Sequence, residues 1–447
     1  MKNGNLKRDI GLLSATILVI ANMVGTGVFT ISGFIALELN SYSLLMLCWF
    51  LGGIFALIGA FNYAELGAMF PKAGGEYAYL KESFGKLPAF VSGWISLIVG
   101  FSAPIAAASI AFATYLLGNQ EKTWFSLEIF SYEVLNINLI SSMAICCVVF
   151  FSYVHYHSVK LGTNIQNLLT IFKVVFILAL IIGGFAVGNG DFSRITATLL
   201  GDSFSISWAH FAISLIFISF AYSGWNAASY LGAEIKNPQK NLPLALLLGT
   251  IFVTILYMLL NFVYIYALPI DKMAGVLQVA TDASNALFGN KIGSLISLAI
   301  SFGLLSVVSA MIMTGPRVYY AMAEDGLFFQ KFKKICTKRN TPTQAIVLQA
   351  VIAIIMILTS TFESLLIYIG FTLSLTSMFT VIGLVKLRIQ KPNIPRPYKT
   401  LWYPYLPILF VLANIGIIIF SFISRPFISS LGMLTILIGI IIYYKIE

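Results

Sequence analysis

The sequence predicts an all-α polytopic membrane protein of about 12 transmembrane helices. Three observations carry this. Hydrophobic residues make up 59% of the 447 residues and charged ones only 10%, against about 25% charged in an ordinary soluble domain. Apolar runs of the length a bilayer requires, about 20 residues, recur from end to end. Positive charge is distributed unevenly between the connections on the two sides.

In order, the spans are expected at about 11–37, 42–70, 88–117, 137–155, 164–188, 208–233, 242–268, 290–322, 343–361, 363–386, 403–424 and 426–445. With the amino terminus inside, Lys122, Arg194, Lys272, Lys291 and Arg425 fall outside. Lys173 and Arg317 fall within spans, and the other lysines and arginines fall inside. This asymmetry follows the positive-inside rule, so the net charge of +10 reports orientation rather than nucleic-acid binding. Both termini are expected in the cytoplasm. MKNGNLKRDIG lacks the form of a cleaved signal peptide, and no hydrophilic stretch is long enough for a fused soluble domain.

The first span is too long to cross straight. Its residues between Asp9 and Glu38 would extend about 40 Å as a helix, against a hydrocarbon core of about 30 Å. Gly25-Thr26-Gly27 offers a break point; the other reading is close helix packing, which glycines also permit. The sixth span carries a second small-residue interruption, Tyr222-Ser223-Gly224-Trp225-Asn226. Interrupted spans at corresponding places point to two inverted five-helix repeats, about 10–188 and 208–388, with the site at mid-membrane. Two extra helices, 403–445, fall outside them.

A broken helix frees N–H groups on one side and C=O groups on the other. The N–H groups suit a carboxylate and the carbonyls an ammonium group. Backbone near Met23 to Gly27 and near Phe220 to Gly224 could thus hold both ends of an α-amino acid, with the Thr26 hydroxyl on the carboxylate. Phe220, Tyr222, Trp225 and Asn226 are the residues expected around the side chain. Lys173, about ten residues into span 5, reads either as a functional buried cation or as a snorkelling surface lysine.

Other chemistry is thin. Cys48, Cys146, Cys147 and Cys336 have no metal-binding or disulfide spacing. His155 and His157 read as an interfacial pair, and Arg317 as snorkelling or pairing with Glu324 or Asp325. The segment at 70–88 is expected to form a turn at Gly74-Gly75 and a short amphipathic inner helix. The basic loop at 324–342 is expected on the inner leaflet. No metal, cofactor or enzyme constellation is expected, and no carboxylate is evident beside the breaks, which favours a neutral substrate. A channel or a membrane sensor is the alternative from another class.

These segments resemble the amino acid–polyamine–organocation transporters, especially bacterial permeases related to the light subunits of heteromeric amino acid transporters. The resemblance covers nearly the full length and rests on GTGVF at 25–29, FPKAGGEYAYL at 70–80, FAYSGWN at 220–226, EIKNPQKNLP at 234–243 and TGPRVYYAMAEDG at 314–326. It implies alternating access, with Met23, Gly25, Thr26 and Gly27 as the first substrate segment. Phe220 would close over the substrate, and Ser223 and Gly224 would supply the second segment. Asn226 stands where arginine–agmatine exchangers carry a glutamate. Lys173 would occupy the place of a sodium ion in sodium-coupled relatives, with Ser306 or Ser309 as its hydroxyl partner. Sodium-independent transport follows, proton-coupled or by exchange, of neutral amino acids or else of cationic amino acids or polyamines. A monomer or homodimer in the cell inner membrane is expected.

Overall fold

A computed structural model describes residues 8, 10–118, 123–129, 132–157, 159–201, 207–333 and 341–446. The carboxyl-terminal part of the basic loop, 334–340 with Cys336, lies outside the described residues, as do Lys122 and the charged residues of 1–7.

The chain is an all-α polytopic membrane protein. The first predicted span is two helices, α1 (Leu12–Met23) and α2 (Gly27–Leu39). Asn40, in the left-handed region at φ 44°, ends α2. α3 (Tyr42–Met69) starts where Ser41 Oγ accepts from Leu44 N–H, satisfying one of the helix's free donors. α4 (Glu76–Phe84) is the expected inner helix, flanked by Gly75 and Gly85, both at positive φ. The third span is helical throughout, from α5 (Lys86–Ile95) through a π-helical turn at Ser96–Ser102 into α6 (Ala103–Leu117).

An antiparallel hairpin follows, β1 (Thr123–Ile129) with β2 (Tyr132–Asn138). The all-α expectation did not include it, because it lies between the apolar runs that carried the prediction. Then come α7 (Leu139–His157), α8 (Val159–Val187), the short α9 (Phe192–Leu200) and α10 (Trp208–Ala221).

The sixth predicted span loses its helix at Tyr222 and continues as 3₁₀ turns at Ala227–Tyr230 and Gly232–Glu234. The remainder is α11 (Pro238–Ala267), the short α12 (Ile270–Met273) and α13 (Val279–Phe288), α14 (Asn290–Glu324), α15 (Thr343–Thr359), α16 (Phe362–Gln390), α17 (Tyr405–Ser424) and α18 (Pro426–Ile446).

Among the described residues, 10 helical segments are long and apolar enough to cross a membrane, counting α1 with α2 and α5 with α6. Two shorter apolar helices, α10 and α15, occupy the places of the sixth and ninth expected spans.

Burial sorts the helices. The third span is 83% buried over its apolar window, whereas α17 and α18 are 28% and 22% buried. The last two helices therefore lie at the periphery, presenting Leu412, Ile423 and Ile441 outward; large apolar residues facing lipid carry no solvation cost. Inside, α3 and α1 pack on α11, and α14 packs on α6 and α8. On the side where α4 lies, short backbone bridges tie Ile10 to Ile235 and Ala73 to Leu231.

Candidate functional site

The two breaks touch each other. Residues 24–26 leave the helical path between α1 and α2, and residues 222–226 do so after α10. Gly224 has φ +94°, and a Cβ there would lie 2.8 Å from the carbonyl carbon and oxygen of Asn22. Only glycine meets both demands, the left-handed backbone and the close approach. A Cβ on Gly27 would lie 2.6 Å from Ala221 Cα, whereas one on Gly25 would meet nothing closer than 3.8 Å. The two glycines of the motif thus serve different ends: Gly27 lets α2 lie against the end of α10, and Gly25 has room for a Cβ at ordinary contact distance from Met23 O and Val307.

Three carbonyls at the first break, those of Ala21, Met23 and Val24, are taken by side chains of this chain. Lys173 Nζ, on α8, donates to Ala21 O at 3.2 Å and to Val24 O. Lys173 is fully buried, which excludes the snorkelling reading: its stem crosses Gly303 of α14 and its ammonium ends on the break. Tyr257 of α11, also fully buried, donates its hydroxyl to Met23 O and reaches Ala221 O at 3.2 Å. One phenol therefore bridges the two interruptions. Val24 N–H still bonds Ile20 O, and Gly25 N–H turns back to Met23 O at 2.8 Å.

A small cavity of about 90 Å³ lies against the second break, room for a few waters or a small side chain. Asn22, Phe220, Ser223, Gly224, Trp225 and Asn226 line it. Met23, Gly25, Thr26 and Gly27 do not line it, although Asn22 beside them does. The cause is the contact just described: Gly27 is packed on Ala221 and the Met23 carbonyl is covered by Tyr257. Gly25 is partly exposed, but Met23 and Thr26 are buried.

A carboxylate does reach the cavity, contrary to the sequence reading. Glu76, at the start of α4, lines the same space as Asn226. Its Oε1 accepts from the Tyr63 hydroxyl at 2.6 Å and from Asn226 Nδ2 at 3.1 Å. Burial pushes its carboxyl up to about 7, while the hydrogen bonds from Tyr63 and Asn226 pull it down. Trp225 packs edge-on against Tyr63, with ring centroids 4.7 Å apart, so this indole closes the cavity wall and supports the carboxylate's partner together.

The remaining expectations change partners. Ser306 Oγ donates to Gly303 O and Ser309 Oγ lies 2.9 Å from His155 Nε2, so these hydroxyls are occupied away from Lys173. The ammonium finds backbone carbonyls instead. His155 is buried rather than interfacial, because it turns inward to Ser309. Arg317 pairs with Glu234 at 3.4 Å, while Asp325 takes Lys81 and the Tyr77 hydroxyl. Sequence reasoning missed two residues of the site. Tyr257 has no distinguishing signal within an apolar helix. Glu76 stood in the quoted GGEY stretch, and its signal was an acidic residue between a glycine pair and apolar neighbours.

The family described as Amino acid permease matches residues 10–443. Serine/threonine exchanger SteT of Bacillus subtilis (strain 168) is 31% identical, covering 100% of this chain and 98% of that protein. The b(0,+)-type amino acid transporter 1 of Mus musculus is 29% identical over 99% of this chain and 89% of its own length. Large neutral amino acids transporter small subunit 2 of Mus musculus is 29% identical over 98% of this chain and 81% of its own.

Proposed function

Because the chain belongs to the amino acid permease family, and so is an amino acid transporter rather than an enzyme, we propose that it carries neutral amino acids, independently of sodium, through the space between its two broken spans. The observation that carries this reading is the contact of the breaks, with Lys173 held on the carbonyls of the first. A fixed ammonium at that point supplies the positive charge that a bound sodium ion would otherwise bring. The amino acid's carboxylate goes to the N–H groups around Gly25 and Thr26 once α2 and the end of α10 separate. Phe220 and Trp225 face the side chain.

The framework for that motion is two inverted five-helix repeats, about 10–188 and 208–388, with 403–445 outside them, twelve spans in all. The protein sits in the cell inner membrane with both termini in the cytoplasm. Its cycle alternates access by exchange of amino acids or by symport with protons. SteT, named as a serine/threonine exchanger, supports exchange of small neutral substrates.

The test is uptake of labelled alanine, serine, leucine and lysine into proteoliposomes, in sodium and in choline buffer. Trans-acceleration by internal unlabelled amino acid identifies exchange, and acceleration by an inward proton gradient identifies symport. Flux without saturation or counterflow would mean a channel, and binding without flux a sensor. Glu76 in the cavity wall favours a second reading, cationic amino acid or polyamine transport. Competition by lysine or a polyamine, and none by alanine or serine, would establish it.

A further inference from the structure

We infer that the groove between α4, α5, α16 and α18 is a binding site for an anionic phospholipid of the cytoplasmic leaflet, whose acyl chain lies in the groove and whose phosphate is held by Lys386 and Lys445. The inference takes only the orientation of the chain from the reading above. Lipid binding is measured without transport, so the two can fail separately.

Two close contacts bound the groove. Gly439 of α18 lets Trp94 of α5 lie against it, where a Cβ would come 2.7 Å from the indole, and Trp94 Nε1 donates to Thr435 O at 3.0 Å. Gly383 of α16 takes the end of α4 in the same way, where a Cβ would come 2.6 Å from Ser83 Oγ. Among these helices a space of about 370 Å³ remains, with Leu80, Leu87, Val91, Leu375, Ile436 and Ile440 in its walls. Its polar residues, Ser92 and Thr376, are both buried, and the Thr376 hydroxyl bonds Thr372 O. Phe379 and Met433, both exposed, open it to the surrounding lipid.

The groove has the depth of one leaflet. From Leu87 to Ile95 α5 rises about 12 Å, most of one leaflet's share of a hydrocarbon core about 30 Å thick. At the α4 end the apolar walls give way to positive charge. Lys386 Nζ lies 4.4 Å from the ring centroid of Phe84, itself a groove residue. Lys445 follows Ile440 at the end of α18, next to the point where Tyr443 packs on Phe90 of α5 with ring centroids 5.5 Å apart. Neither lysine forms an ion pair among the described residues. The carboxylates on the adjoining helices are taken, Glu65 by Arg388 and Arg396 and Glu82 by Lys72.

This combination selects the lipid. Apolar walls accept any acyl chain, so the headgroup decides. Phosphatidylcholine brings a cation of its own beside the phosphate, whereas phosphatidylglycerol brings the phosphate alone. A lysine facing anionic lipid is worth about fivefold in affinity, so two give about 25-fold. The site also bears on the transport path through α4. Glu76, at the start of that helix, lines the substrate cavity, and Leu80 and Phe84 further along it line the groove. A lipid seated there holds α4 against α16 and α18, so its binding should raise the melting temperature.

The experiment titrates the purified full chain in dodecyl maltoside with dioleoyl phosphatidylglycerol and, in parallel, with dioleoyl phosphatidylcholine. Apparent affinity is taken from the rise in melting temperature. Phosphatidylglycerol should bind about 25-fold more tightly. Lys386→Gln with Lys445→Gln should bring the ratio to within about twofold. Lys331→Gln with Lys333→Gln removes the same charge from the basic loop and should leave the ratio unchanged. Val91→Trp fills the groove and should weaken binding of both lipids.

Should Val91→Trp not reach the folded state, glycerophosphoglycerol decides, because it is the same headgroup without acyl chains; it should give no shift at matched concentration. Equal affinity for the two lipids, or a preference that survives the loss of Lys386 and Lys445, would overturn the inference. So would an equal loss from the loop pair, undiminished binding to a folded Val91→Trp, or a shift with the chain-free headgroup.

Discussion

Gly27→Ala is expected to drive the two broken spans apart, and the structure sets the size of the effect. The added Cβ would lie 2.6 Å from Ala221 Cα and 2.9 Å from Ala221 Cβ, about 1 Å inside the ordinary carbon–carbon contact of roughly 3.5–4.0 Å. Ala221 has no flexible side chain that can turn aside, so the backbone at the end of α10 has to move. Overpacking of this kind costs about 1–3 kcal/mol, and Gly27→Leu should cost more. Gly25→Ala is the control two residues away: its Cβ would meet Met23 O and Val307 Cγ2 at 3.8 Å, an ordinary contact. Its effect on stability should stay within about 0.5 kcal/mol. Thermal unfolding in detergent, followed by size-exclusion of the remaining monodisperse protein, compares the two, and alanine uptake reports whether the site survives. A Gly27→Ala protein with wild-type stability and uptake would refute the close packing of the breaks. A Gly25→Ala protein less stable than Gly27→Ala would refute the assignment of the two glycines to different roles.

Lys173→Ala should abolish uptake while the protein still elutes as a folded species, because it leaves the Ala21 and Val24 carbonyls without their donor; transport at the wild-type rate would remove Lys173 from the mechanism. Replacing sodium by choline should leave wild-type uptake unchanged, and a sodium requirement would contradict the role given to that ammonium. Glu65→Gln should destabilise by about 3–5 kcal/mol, the cost of stripping the partner from buried charges, since Glu65 is fully buried and pairs with both Arg388 and Arg396; a melting temperature within a degree of wild type would contradict this. Glu76 gives a pH signature. Its carboxyl is raised by burial from an ordinary 4.5 to about 7. The stability it contributes is therefore complete below about 4.5 and is lost as pH rises to about 7, on the order of 3 kcal/mol. The melting temperature of the wild type should fall across that window relative to Glu76→Gln, and parallel profiles would show that Glu76 does not titrate there.

Much of the architecture was legible because lipid imposes a simple rule. Backbone in hydrocarbon must satisfy its own hydrogen bonds, so apolar runs become helices and their interruptions stand out. GTG at 25–27 and YSGWN at 222–226 were visible as breaks for that reason, and both are breaks in the structure. The β1–β2 hairpin was not visible, because it lies in a short connection between spans where no such rule applies. Lys173 stood out as a charge in an apolar run, yet spacing alone left open whether its long stem carried the ammonium outward or inward. Its partners were misread because a hydroxyl on a neighbouring helix is easy to name from sequence, whereas a carbonyl freed by a break belongs to no residue type.

What the sequence by itself determined was the helical membrane class, the place of both breaks and the family, each readable from local composition or motif. What only the tertiary structure decided was which groups meet. It brought Tyr257 across two breaks and Lys173 onto the carbonyls of the first. It placed Glu76 behind Asn226, in a cavity the sequence had read as free of carboxylates. Apart from Tyr257 and Ala221, 36 positions apart, the residues concerned lie about 150 positions or more apart in the chain, and periodicity and composition do not reach that far. The two broken spans meet because Gly27 and Gly224 let their backbones approach more closely than any side chain would permit.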